Sequence, residues 1–183
     1  MIKRLKNFAE MARYSSELAR IHKECFSAPP WNFAISEREA LMTLKNAFEL
    51  PNSIFCVDAV ADVVFGAAIA SPLKFHPEIS SIVQRKKGDI IKEAVYCQWI
   101  FVDPKWQHDR RGSNLHETRL FHAKQEGFKY AVQRTSHKSR MYQIIKKTGF
   151  EEIGHCKVLY LRDYGDGKKV LAYDTRVISI KEL

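Results

Sequence analysis

The sequence predicts a single-domain α/β protein, a mixed sheet with helices on both faces, and three observations carry that expectation. A chain of 183 residues suits one domain of ordinary size, large enough to bury a real core. Hydrophobic residues make up 45% of it and charged residues 28%, the balance of a folded globular protein and not of a disordered one. The strands expected from the pattern come first as a hairpin and then alternate with helices, an order that packs helices against both faces of a sheet. The single domain is expected to span 1–183, with one irregular insertion at about 72–92.

Met1–Leu5 is predicted as a short edge strand. From 6 to 24 the apolar residues Phe8, Met11, Leu18 and Ile21 recur at helical spacing, and Cys25-Phe26 closes the segment. Ser27-Ala-Pro-Pro-Trp31 is a rigid break, with Trp31 and Phe33 expected to pack over a cleft or the core. Ser36-Glu-Arg-Glu39 has the spacing of a capping box, and the helix it opens runs to about Glu49 with Leu41, Leu44 and Phe48 along one face. Ile54–Val60 and Val63–Ala70 are β-rich runs joined near Ala61-Asp62, a predicted hairpin. Pro72 to Lys92 shows no periodicity and carries Pro77, Gly88 and a basic run, hence the irregular insertion. After the central segment, Phe128–Val132 is a predicted short strand. Met141, Ile144, Ile145 and Thr148 then fall at i, i+3, i+4 and i+7, a helix with one buried stripe ended by Gly149-Phe150. Ile153–Leu161 and Lys169–Val177 are predicted strands either side of Tyr164-Gly-Asp-Gly167, whose Asp-Gly step signals a hairpin.

The central segment runs from Tyr96 to Glu126. Its strand, Tyr96–Val102, is dense in aromatic and β-branched residues and ends at Asp103-Pro104, because proline cannot donate to a ladder. A helix is expected to start near Gly112 or Ser113 and to run to Glu126, with Gly127 as its stop. Between them lies Gln107-His108-Asp109-Arg110-Arg111-Gly112. A loop that opens a helix after a strand is a ready anion cradle, since the first helical amides lack internal partners and the helix dipole adds to them. The alternative is a solvated basic turn.

Composition narrows the partners. The formal net charge is +9, with many of the cations in Arg85-Lys86-Lys87, Lys105–Arg111, Arg134–Arg140 and Lys146-Lys147. Such a surplus points to a phosphorylated cofactor, a nucleic acid or an acidic substrate, against plain solubility. The four cysteines, Cys25, Cys56, Cys97 and Cys156, form no C-x-x-C pair and are accompanied by no metal-ligand spacing, so free thiols and no metal are expected. The absence of an apolar run of about 18 residues speaks against a membrane span. The basic N-terminus without an apolar stretch is no secretory signal, and a cytoplasmic location is expected.

The element order and two of its segments resemble the GNAT superfamily of acyl-CoA-dependent N-acyltransferases, from about Phe26 to Val177 and most closely over Val95–Gly154. Members carry a V-x-P turn after the central strand, matched by Val102-Asp103-Pro104. They follow it with a Q/R-x-x-G-x-G/A loop, onto which Gln107, Arg110 and Gly112 fall. Lys147 and Gly149-Phe150 match the later Y-x-K-x-G-F pattern, and Ala-Pro-Pro-Trp31 is similar to the aPW segment of many members. The resemblance implies a mostly antiparallel central sheet and acetyl-CoA as co-substrate, without a metal. In it Gln107, Arg110, Arg111, Gly112 and Ser113 would hold the pyrophosphate, and Ile100, Phe101 and Val102 would offer a strand edge to the pantetheine amides. Lys138 and Arg140, with Arg134, would lie near the adenine end or be plain surface charge. Two positions depart from the pattern: Arg110 stands where members have glycine, and Ile145 where many have the tyrosine that protonates the departing thiolate. Tyr142, one turn earlier, is the substitute acid.

Transfer of an acyl group from a thioester to an amine needs a base for the amine, stabilisation of the carbonyl oxygen and an exit for the thiolate. Glu93, just before the central strand, is the candidate base, with Tyr96 and Gln98 near it on the strand; a solvent-facing charge is its plainer role. The acceptor is expected to be a small-molecule or peptide amine, with 27–35 and 72–92 shaping its pocket, and the protein a monomer or homodimer. Two rival readings stand. One is a nucleic-acid-binding or -modifying protein on the same fold, with Trp99, Trp106 and Tyr142 as stacking groups for its bases. The other is a member that binds CoA without catalysis.

Overall fold

The computed structural model describes residues 1–163 and 168–183, and among them seven strands form one sheet. The strands are β1 (Ile2–Arg4), β2 (Ile54–Val60), β3 (Val63–Pro72), β4 (Ala94–Val102), β5 (Tyr130–Thr135), β6 (Glu151–Asp163) and β7 (Lys169–Glu182), in spatial order β1-β2-β3-β4-β5-β7-β6. Every neighbouring pair is antiparallel except β4 and β5, which run parallel. The helices are α1 (Phe8–Ser27), α2 (Glu37–Glu49), α3 (Pro77–Lys87), α4 (Arg111–Gln125) and α5 (Arg140–Lys147). The mixed, mostly antiparallel sheet between helical layers is the architecture expected from the order of elements.

Alternation along the strands separates the layers. Phe55, Val57, Ala67, Ile69 and Phe101 face α1 and α2, whereas Ile54, Cys56, Ala68, Ala70, Val95 and Cys97 meet Leu115 and Leu120 of α4 and Ile145 of α5. The Ser36 capping box is formed: the Ser36 hydroxyl accepts from the Glu39 amide at 3.2 Å, and the Glu39 carboxylate accepts from the Ser36 amide at 2.8 Å. At the far end of β4 the sheet is drawn tight. A Cβ on Gly66 would lie 2.3 Å from the Phe101 carbonyl oxygen, so only glycine lets β3 approach β4 there.

Three sequence-based expectations change. The stretch 72–92 is no irregular insertion: α3 fills most of it, with Pro77 in its first turn, Ile79 and Val83 buried one turn apart, and Gly88 at φ 79° as its stop. The apolar stripe of this short helix is diluted by Glu, Gln and Lys, and its proline starts a helix instead of breaking one. β7 runs on past Val177 to Glu182, because Val177–Glu182 pairs with the whole of β5. The stripe on α5 is buried only at Ile145. Cys56 and Cys97 are buried free thiols, while Cys25 and Cys156 are half-buried. The turn expected at Tyr164–Gly167 lies outside the described residues. No helix among those described is long and apolar enough to cross a membrane.

Candidate functional site

The cleft begins as a defect in β4. Opposite β3 the register slips between Ile69 and Ala70, which pair with Trp99 and Cys97, so Gln98 is an extra residue in the strand. A bulge bends its strand and sharpens the local twist. Pairing with β5 stops at the same place, at Cys97 opposite Gln133. Beyond it β4 and β5 diverge around a cavity of about 890 Å³, lined by Gln98–Val102 on one side and Gln133–Thr135 on the other.

A buried arginine wedges the divergence open. Arg119 of α4 is fully buried and donates to the carbonyls of Ile69 (3.1 Å) and Trp99 (3.0 Å), the two that flank the bulge. It also donates to Gln133 Oε1 of β5 (3.1 Å) and to His116 Nδ1 (2.7 Å). Burial, helped by the Arg119 charge, pushes the His116 imidazole far below its ordinary value, so its Nδ1 stays free to accept. A cation inside the apolar stripe of Leu115, Leu120 and Ala123 is the sequence signal that could have found this residue.

One end of the cleft is walled by the loop before α4, the candidate anion cradle. Gln107, His108, Arg110, Arg111, Gly112 and Ser113 all line it. Arg110 caps α4 with left-handed backbone, φ 56° and ψ 8°, so it adopts the conformation for which glycine is usual. The first-turn amides of α4 lack intrahelical partners, and that turn carries no acidic side chain to offset the positive end of the dipole. The Gln107 amide donates to the Val102 carbonyl at 3.1 Å and ties the loop to the strand end. The neighbouring turn is pinned too: Asp103 accepts from Arg20 of α1 (2.7 Å) and from the Lys105 amide (2.9 Å). Burial raises the Asp103 carboxyl, but these donors outweigh it and hold it below the usual range.

Lys138 and Arg140 stand at the edge of this cradle, with the Arg140 guanidinium 3.3 Å from His108 Nε2. Arg111 differs from expectation. Its guanidinium donates to the buried Asp58 carboxylate at 2.7 Å and stacks 3.8 Å from the centre of the Phe65 ring, so its charge is engaged by β2 and β3. Ile100, Phe101 and Val102 lie along the cleft wall, on the β4 edge that β5 has left.

Neither proposed catalytic side chain reaches the cleft. Glu93 precedes β4 at the end opposite the loop and pairs with Lys129 at 3.0 Å, its carboxylate facing solvent. Met141 and Ile144 of α5 line the cleft, whereas Tyr142 lies on the outer side of the helix, where its hydroxyl donates to Glu152. With 3.6 residues per turn, the neighbour of a cleft-facing residue turns away.

The fold supplies His76 instead, from a stretch where the sequence offered no pattern. His76 sits in the cleft at the head of α3, and its Nε2 meets Ser71 Oγ at 2.7 Å and the Gln98 amide nitrogen at 3.1 Å. Burial against β4 lowers its pKa, which leaves a neutral imidazole at pH 7. Tyr96 packs on it, ring centres 4.8 Å apart, and burial pushes that phenol up to about 12. Cys25 also lines the cleft. Its Sγ donates to the Val102 carbonyl at 3.1 Å and burial pushes the thiol up to about 12, so it stays protonated. The far wall is aromatic: Phe26 packs against Trp99 at 5.1 Å and Phe33 at 5.9 Å, and Arg176 lies 4.1 Å from the centre of the Trp31 ring. Arg134 closes this end in an ion pair with Glu78 at 3.0 Å.

No protein-family model matches the sequence, and no curated protein is similar to it. Solved structures are similar over the whole chain. A ribosomal-protein-alanine N-acetyltransferase from Brucella melitensis superposes with a TM-score of 0.69 at 14% identity, covering 100% of this chain and 99% of that one. An acetyltransferase of the GNAT family from Streptococcus pneumoniae gives 0.64 at 13% identity, over 100% and 99%. An aminoglycoside 6′-acetyltransferase of type Ii gives 0.64 at 11% identity, over 100% and 96%. The chain has the GNAT fold.

Proposed function

We propose that this chain is an N-acetyltransferase that moves the acetyl group of acetyl-CoA directly to a primary amine. The observation that carries the reading is the divergence of β4 from β5 with an anion cradle at its mouth, in a chain with the GNAT fold. The residues present fit the co-substrate. A Cβ on Gly112 would meet only Val102, at 3.9 Å, so the glycine is not demanded by packing and leaves room for a phosphate beside the backbone. Arg110 adopts the left-handed backbone that glycine, the residue of the family pattern at this position, takes most readily.

Acetyl-CoA supplies the activated acyl carbonyl. The amides of Arg111, Gly112 and Ser113 and the side chain of Arg110 bind the diphosphate, with Lys138 and Arg140 at its outer edge. The open stretch Ile100–Val102 offers backbone partners to the amides of the pantetheine arm and donors for the carbonyl oxygen as it turns anionic. His76, neutral and inside the cleft, accepts the proton of the incoming amine. Thiols are far more acidic than amines, so the tetrahedral intermediate expels thiolate and not amide anion, and the outward turn of Tyr142 leaves that exit open. The protonated Cys25 thiol is a poor nucleophile, which supports direct attack over an acyl-enzyme. The aromatic wall of Trp31 and Phe33 favours an acceptor with an apolar flank, whether a small molecule or a peptide.

The test is release of free thiol from acetyl-CoA during a screen of arylalkylamines, amino acids, peptides, polyamines and aminoglycosides. At least one amine is expected to release it. With that amine, His76→Gln is expected to lower kcat/KM by about 10²–10⁴, the range for loss of a general base. Thiol release by no amine would reject the function, and full activity in His76→Gln would remove His76 from the mechanism.

A further inference from the structure

The sequence spacing shows no metal ligands, yet the fold brings three together outside the cleft. His137, in the loop between β5 and α5, meets Glu152 and His155 of β6, their ligand atoms all within 4.8 Å of one another. Residues three apart on a regular strand point to opposite faces. Here β6 has a bulge between Glu152 and Gly154: Glu152 pairs with Ser179 and His155 with Val177, two residues apart on β7, so both side chains emerge on the same face.

We propose that His137, Glu152 and His155 form a binding site for Zn²⁺ or a similar late first-row divalent cation. His137 Nε2 already lies 4.0 Å from Glu152 Oε2, and the two imidazole rings are 6.0 Å apart, centre to centre. Closing these atoms to metal–ligand lengths of about 2.0–2.2 Å needs only side-chain rotation, which is open to exposed residues. Two imidazoles and one carboxylate suit zinc and its neighbours, and suit magnesium or calcium poorly. Three protein ligands leave a fourth position for water.

The surroundings orient the carboxylate. The Tyr142 hydroxyl donates to Glu152 Oε1, which turns Oε2 toward His137, and the Tyr142 ring packs against His137 at 4.6 Å. An outer hydrogen bond of this kind fixes a ligand's geometry and adds to metal affinity. The nearby cation Lys146, 5.5 Å from the Tyr142 ring centre, opposes the site, and the Glu152 charge offsets it. The site also touches function: the loop that carries His137 continues into Lys138, Ser139 and Arg140, which line the cleft, and β6 contributes Val158 to the same cleft. A metal joining that loop to β6 would stiffen one wall.

Zinc titration in competition with a chromogenic chelator tests the site. One zinc per chain is expected, with affinity at least about 10-fold lower in His155→Ala and in Glu152→Gln and also reduced in Tyr142→Phe. Magnesium and calcium are expected not to compete, and His122→Ala, on α4, is expected to bind as the unmodified protein does. All three ligands are exposed, so the variants should keep the fold, which a melting curve without metal checks. Zinc should raise the melting temperature of the unmodified protein and not that of the His137→Ala/His155→Ala double variant. Equal zinc affinity in the double variant and the unmodified protein would overturn the site and leave His137 and Glu152 as a surface ion pair.

Discussion

Arg110 and Arg111 are adjacent in sequence and are held in opposite ways. No carboxylate among the described residues pairs with Arg110, which is exposed at the mouth of the cleft. Arg111 is paired with Asp58, whose side chain is only 5% exposed. Arg110→Ala is therefore expected to weaken acetyl-CoA by about 1.5–3 kcal/mol, the range for a hydrogen bond to a charged group, without lowering stability. Arg111→Ala is expected to do the reverse, costing about 1–3 kcal/mol of stability because Asp58 is left buried and poorly paired. Calorimetry with acetyl-CoA and denaturant titration of both variants check the pair of outcomes, and exchanged effects would refute the assignment. His22 gives a second residue-scale prediction. It is buried with neither ring nitrogen partnered, and burial pushes its pKa to about 4. The unfolded chain then binds a proton near pH 6.5 that the folded chain refuses, so this contribution is complete above pH 6.5 and is lost as pH falls toward 4. The loss is about 3 kcal/mol over that window. His22→Phe should flatten the acid side of the stability–pH curve, and an unchanged slope would contradict the account.

At the scale of elements, the cleft depends on the bulge at Gln98, and the bulge depends on a charge from another layer. Arg119 satisfies both carbonyls that the bulge releases and reaches across to β5. Arg119→Met keeps much of the volume but leaves Ile69 O, Trp99 O and Gln133 Oε1 without that donor. The expected cost is about 3 kcal/mol or more, from several buried acceptors left unmade. The same variant should lose acetyl-CoA affinity, because β4 is then free to straighten against β5. Denaturant midpoints with calorimetry decide it; a stable variant with unaltered affinity would show that the divergence maintains itself. This dependence was not legible beforehand. A bulge is a relation between two strands, and Gln98 looks ordinary within Tyr96–Val102. The capping box at Ser36 could be read because it needs only residues three apart. Ile79 and Val83 of α3, by contrast, were too few in too polar a stretch to announce a helix.

For the whole molecule, the element order carried the sheet, its mixed character and the flanking helices, and the loop of the strand–loop–helix at 96–126 lines one end of the cleft. What could not be read was direction. Tyr142 and Glu93 have suitable chemistry, but α5 turns one outward and β4 sets the other at its far end, while His76 enters from a segment with no motif and Arg119 from the buried face of α4. The charge of +9 is likewise a sum without a direction. Trp99, packed among His22 and Phe26, and Trp106, set against Phe65, both line the cleft, whereas Tyr142 lies on the outer side of α5. The proposed function requires that the cleft between β4 and β5 hold acetyl-CoA with its diphosphate on the first turn of α4. The most direct measurement is a calorimetric titration of acetyl-CoA into the unmodified protein and into Gly112→Ala. Since a Cβ there meets only Val102 at 3.9 Å, the substitution should leave the melting temperature unchanged or slightly raised. One-site binding is predicted for the unmodified protein, weakened at least about 10-fold in Gly112→Ala as the methyl group takes the phosphate's place beside the backbone. No heat at millimolar acetyl-CoA, or the same affinity in both proteins, would contradict it.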